Sequence, residues 1–87
     1  MKEYSINIAK DDKQYYILDF TITRPIVGTA ESVQEASIFA KGYKAGIEID
    51  SNLKFQPTIK EVEKTQNIKQ YIKDKKKYYD ELWKSQN

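Results

Sequence analysis

An α+β fold is predicted for this chain: a small antiparallel sheet of three to four strands with two helices, in the order ββαβ(β)α. Three observations predict it: two strictly alternating segments near the start, a capped helical stripe in the middle, and a long amphipathic close. With 87 residues there is room for one small domain, 1–87, near the lower end of what folds unaided, so each long apolar face is needed for the core. Residues 1–57 read as the sheet plus the first helix, and 58–87 as a C-terminal helical segment.

The opening YSINIA sets Tyr4, Ile6 and Ile8 on one side and Ser5, Asn7 and Ala9 on the other, the pattern of a half-buried strand. KDDK supplies a polar turn. QYYILDFTIT then places Tyr16, Leu18, Phe20 and Ile22 on one face and Tyr15, Ile17, Asp19 and Thr21 on the opposite one, so the two segments form an antiparallel hairpin. In RPIVGTAE, Pro25 and Gly28 interrupt the alternation, which fits a loop or a short edge strand equally well.

SVQE, residues 32–35, has the form of a capping box, with the Ser32 hydroxyl accepting from the Glu35 amide, so a helix starts at Val33. Val33, Ala36, Phe39, Ala40 and Tyr43 form its apolar stripe, Ile38 lies off it, and Gly46 is placed to end it in a left-handed conformation. IEID follows as a strand with Ile47 and Ile49 inward, then SN, then LKF, as one bulged strand or a second hairpin stopped by Pro57. TIKE repeats the capping-box pattern, so a second helix is expected from Ile59. Its apolar positions change sides at TQN, residues 65–67, which predicts a bend or break there.

Beyond that point Ile68, Tyr71, Ile72, Tyr79 and Leu82 complete the core, while Tyr78 and Trp83 sit at the edges of the stripe, where amphipathic aromatics anchor contacts with another molecule. The outward side carries Lys69, Lys73, Lys76 and Lys77, with Lys84 further along and Asp74, Asp80 and Glu81 interspersed, so it is mixed but positive toward its first half. Residues 1–57 hold 7 basic and 8 acidic groups and residues 58–87 hold 8 and 5, so the net +2 of the chain arises from −1 and +3 and all the excess positive charge sits at the close. Like charges at Lys69, Lys73 and Lys77 weaken a helix unless an anion lies near, and they steer acidic partners over long range.

The chain has no cysteine and no histidine, which excludes disulfides, thiolate metal sites and Ser-His or Cys-His nucleophiles. The acid pairs Asp11–Asp12 and Glu48–Asp50 lack polar company, and Gly28, Gly42 and Gly46 make no phosphate-cradling motif. The expectation is therefore a protein that is not an enzyme, with no catalytic residue, metal or cofactor. No apolar run suits a signal peptide or membrane span, so the expected compartment is cytoplasmic, the host bacterial cytosol if the chain is phage-encoded. Tyr15, Ile17, Thr21 and Thr23 form a sheet face that either stacks bases or lies under a helix.

The runs YSINIAKDDKQYYILDFTIT and GTAESVQEASIFAKGYKAG resemble the strand, strand and capped helix of HicB-like antitoxins, and less closely the arm-binding domains of phage integrases. The HicB-like resemblance implies inhibition of a small RNA-cleaving toxin, although a lysine- and tyrosine-rich tail stands where that family has a DNA-binding segment. In size and in its wealth of lysine, isoleucine, tyrosine and asparagine, the chain is also similar to phage and mobile-element accessory proteins, anti-CRISPR inhibitors among them. The resulting expectation is a non-catalytic accessory protein that binds and inhibits or regulates a host protein or protein–nucleic-acid complex through Lys69, Lys73, Lys76, Lys77, Tyr78 and Trp83. The alternatives are a nucleic-acid-binding regulator using the same helix, or a HicB-like antitoxin. Tyrosine-rich edges and a protruding helix also suit a homodimer.

Overall fold

The computed structural model describes residues 5–50 and 57–85, with residues 48–50 as backbone only. The elements are β1 (Ser5–Lys10), β2 (Tyr15–Asp19), β3 (Ile26–Ala30), α1 (Val33–Asp50), β4 (Thr58–Lys64) and α2 (Ile68–Ser85). They form the expected α+β fold, with one four-stranded sheet in the order β3-β2-β1-β4 and a helix on each face.

The sheet is mixed. β1–β2 and β2–β3 are antiparallel, but β4 runs parallel to β1, which corrects the expectation of an antiparallel sheet. The physical reason is the connection: a helix intervenes between β3 and β4, and such a crossover returns the chain to the end of the sheet from which β1 starts.

The β1–β2 hairpin turns on Asp11, whose Oδ1 accepts from the backbone N–H of Lys13 (2.8 Å) and Gln14 (3.0 Å), and whose Oδ2 accepts from the Tyr16 hydroxyl (2.8 Å). These three bonds hold the Asp11 carboxyl below its ordinary range. The segment left open between loop and strand resolves as β3, an edge strand with a bulge between Leu18 and Ile17 of its partner.

One sheet face presents Ile6, Ile8, Ile17 and Ala30 to α1, which meets them with Ala36 and Ala40 and the half-buried Tyr43. The helix starts as expected, with the Glu35 amide donating to Ser32 Oγ (3.2 Å), while the Glu35 carboxylate reaches back to the Glu31 amide (3.1 Å). Helix α1 continues through Gly46 to Asp50, so the C-cap at Gly46 and the strand over 47–50 are both corrected. Gly46 does not adopt a left-handed conformation, and Ile47 follows Tyr43 by one turn, which keeps it on the inward stripe. The expectations placed on Tyr4, and on Leu53, Lys54 and Phe55, lie outside the described residues.

Thr58–Lys64 is a strand, which corrects the helix expected from Ile59 and the assignment of all of 58–87 to helix. Ile59 and Val62 both pack on the α1 side although they stand three residues apart, because a register shift in β4 opposite Ile6–Ile8 inserts one extra residue. A bulged strand thus imitates the helical i, i+3 spacing. Thr58 is an exposed strand residue, and the helix that follows is capped instead by Asn67, whose Oδ1 accepts from the Gln70 amide (3.2 Å). The change of apolar side at 65–67 is the strand-to-helix connection.

Candidate functional site

Helix α2 is 18 residues, about 27 Å long. It covers the second sheet face through large side chains. Tyr79, 3% exposed, packs with Ala9, Tyr16, Leu18 and Phe20, and Ile68, Tyr71, Ile72, Leu82 and Trp83 close around this cluster. Its ring stacks on Phe20 at 5.4 Å between centroids and meets Tyr78 edge-on at 5.1 Å. Its hydroxyl shares long contacts of 3.4–3.5 Å with the buried Asn7 side chain, which gives both polar groups a partner inside the sheet.

Two flanks rise on either side of that inward stripe. Measured at about 100° per residue from Ile68, Lys69, Lys73, Lys76 and Lys77 fall between about 80° and 180°, Trp83 at about 60° and Tyr78 at about 280°. All four lysines are exposed. The structure therefore brings the lysines onto one flank with Trp83 at its root, and sets Tyr78 on the other. Trp83 is half-buried, 5.8 Å from the Tyr79 ring, so only part of the indole faces outward. Tyr78 is 52% exposed.

Lys75, absent from the expected surface, separates chemically from its neighbours. It pairs with Glu63 of β4 at 3.3 Å and lies 5.8 Å and 5.9 Å from the ring centres of Tyr71 and Tyr78. The Tyr71 hydroxyl is buried and falls short of hydrogen-bond geometry, and burial together with the Glu63 charge pushes its ionisation above the ordinary value of 10.0. The tyrosine flank thus belongs to the α2–β4 junction, tied down by an ion pair. The signal for this was Glu63 itself, which becomes visible only once β4 is known to be a strand beside β1.

The remaining acids do not assemble a reactive site. Asp11 is consumed by its turn, and Asp12 is exposed. The side chains of Glu48 and Asp50 lie outside the described residues. Asp19, on the same strand face as Tyr15 and Ile17, is 1% exposed and accepts from the Thr21 amide (2.9 Å), the Thr21 hydroxyl (2.5 Å) and the Tyr43 hydroxyl (2.5 Å). It ties the end of β2 to α1. The face of Tyr15 and Ile17 lies under α1, which removes it as a platform for stacked bases.

At the rim of the sheet an open cleft of about 560 Å³ is lined by Lys10, Asp11, Asp12, Lys64, Thr65 and Gln66. Lys10 and Lys64 are cross-strand partners there, and both charge signs line the space. Among the described residues no group of three or more carboxylates is placed to hold a metal ion, and no helix is long and apolar enough to cross a membrane. No family model matches the chain, and neither does any curated protein or solved structure.

Proposed function

We propose that the protein is a non-catalytic accessory protein, of the kind carried by phages and mobile elements, that binds and inhibits or regulates a host protein or protein–nucleic-acid complex. The observation that supports this reading is the clustering of Lys69, Lys73, Lys76 and Lys77, with Asp80 among them, on one exposed flank of a helix whose opposite side is occupied by the sheet. Such a flank steers an acidic surface toward the molecule, and the outward part of Trp83 at its root adds contact area. Composition and size make anti-defence proteins such as anti-CRISPR inhibitors the leading class, and the cytosol of a bacterial host the compartment.

The same lysines favour nucleic-acid binding as a second reading, and the β1–β2 hairpin with, after β3, a Ser32-capped helix favours a HicB-like antitoxin as a third. One set of experiments separates them. Capture from a host extract identifies the partner, and the double variant Lys73→Glu, Lys77→Glu should slow association with it at least about tenfold at low salt. Titration with labelled DNA and RNA at two salt concentrations should show a steep salt dependence if the phosphate backbone is the ligand. An unaltered association rate for the double variant removes the α2 flank as the binding surface.

A further inference from the structure

β1 and β4 run parallel, and their carboxyl ends lie side by side at Lys10 and Lys64. The chain leaves them in different directions, through Asp11 toward β2 and through Thr65 toward α2 on the other sheet face. Crevices outside the carboxyl ends of parallel strands, where the connections diverge, are where sheets flanked by helices take up ligands. The open cleft of about 560 Å³ lies at that point and has the size of a small-molecule site. Its two loops are held in place, because the Thr65 amide donates to the Lys10 carbonyl (2.8 Å) and Asp11 closes its own turn.

As cross-strand partners, Lys10 and Lys64 project from one sheet face, and Ile8 and Val62, two residues earlier, place that face on the α1 side. Like charges set beside each other on one face disfavour the pairing. Among the described residues neither ammonium meets a carboxylate at ion-pair distance, and that of Lys10 lies 5.1 Å from the centre of the Tyr15 ring. An anion between the two lysines removes the repulsion, and a phosphate group has enough acceptor oxygens to serve both.

The acids of the cleft differ in what they can still do. Asp11 has both oxygens occupied, by the Lys13 and Gln14 amides and the Tyr16 hydroxyl. The side chains of Asp12 and Gln66 are exposed and make no hydrogen bond or ion pair among the described residues. A carboxylate accepts from hydroxyl groups, and a carboxamide both accepts and donates. One ligand therefore uses both signs of charge, with its anionic end on the lysines and its hydroxyl groups on Asp12 and Gln66.

We infer that this cleft binds a phosphate monoester carrying hydroxyl groups, either a free sugar phosphate or the sugar-phosphate part of a nucleotide. It shares no residue with the lysine flank of α2.

Calorimetric titration of the full chain with ribose phosphate, adenosine monophosphate, inorganic phosphate and ribose tests this. Ribose phosphate should bind, inorganic phosphate should bind about tenfold more weakly, and ribose should give no heat. Tighter binding of adenosine monophosphate than of ribose phosphate supports the nucleotide as the source, and equal binding supports the sugar phosphate. Lys64→Ala should weaken ribose phosphate by about tenfold, whereas Asp12→Ala should reduce its affinity to that of inorganic phosphate without weakening inorganic phosphate itself. Far-UV circular dichroism of both variants should match the wild type, since both positions are exposed. No binding of either ester at millimolar concentration overturns the inference. Binding that is indifferent to Lys64→Ala, or that is equal for inorganic phosphate and ribose phosphate, overturns it as well.

Discussion

The two helices cover the two faces of one sheet by opposite means. α1 approaches through Ala36 and Ala40, both fully buried, so its backbone comes close and small side chains fill the gap. α2 stands on Tyr79, Tyr71 and Trp83, rings long enough to hold its backbone away from the strands. The difference teaches where charge can be carried. A helix standing off on aromatic side chains exposes both its flanks, and in α2 one flank carries Lys69, Lys73, Lys76 and Lys77 with Asp80 among them, while Tyr78 on the other lies beside Lys75, which pairs with Glu63.

The contrast fixes an order of expected effects. Tyr79→Ala removes a buried ring, its stack on Phe20 and the partner of Asn7, and should lower unfolding free energy by about 3–5 kcal/mol in a urea titration. On the α1 side, Asp19→Ala leaves the Tyr43 hydroxyl and the Thr21 groups without their carboxylate and should cost about 2–3 kcal/mol by the same measurement. Gly28→Ala sets a methyl within 2.4 Å of the Phe39 ring and should cost about 1–2 kcal/mol. Most of that cost should vanish in a Phe39→Ala background, because the ring is what the methyl meets. Lys73→Glu with Lys77→Glu should change stability by less than about 0.5 kcal/mol, since both positions are exposed.

Titration provides a finer comparison. Tyr71 ionises above 10.0 in the folded state, so the native form holds its proton where the unfolded chain releases it. Its contribution is complete below pH 10 and is lost as the pH rises through the folded value. Ultraviolet titration of phenolate should show a late-ionising component above pH 10, and Tyr71→Phe should reduce it by one tyrosine. Asp11 acts in the reverse sense: its folded value lies below the ordinary 3.8, so its contribution is present above that value and is lost as the pH falls through the folded one. Asp11→Asn should flatten the acid limb of the stability curve.

Much of the architecture is legible in the residues because alternation and capping are local. Strands β1 and β2, the Ser32 cap and the Ala36, Ala40 and Tyr43 part of the α1 stripe follow from period and side-chain chemistry alone. Val33 and Phe39 of that stripe are exposed, and β1 is buried on both faces, since α2 covers the side that alternation marks as polar. What misleads is where one physical pattern imitates another. Ile59 and Val62 have helical spacing, and Thr58 with Glu61 has the form of a cap, yet a bulge delivers the same sidedness to a strand. Gly46 suggests a helix end, but a glycine with open space around it stays in the helical conformation when neighbours on the stripe are buried. Among the surface residues, the exposure of Lys69, Lys73, Lys76 and Lys77 was readable from helical period. The distinct role of Lys75 was not, because it depends on a partner twelve residues away on β4.

Acetylation footprinting of the free protein, read lysine by lysine by mass spectrometry, examines the docking of α2 without any partner. Lys69, Lys73, Lys76 and Lys77 should be modified rapidly, and Lys75 several-fold more slowly, shielded by Glu63 at 3.3 Å and by two tyrosine rings. Equal rates across all five would mean that α2 does not rest on the sheet through Tyr79 with its cationic flank turned outward.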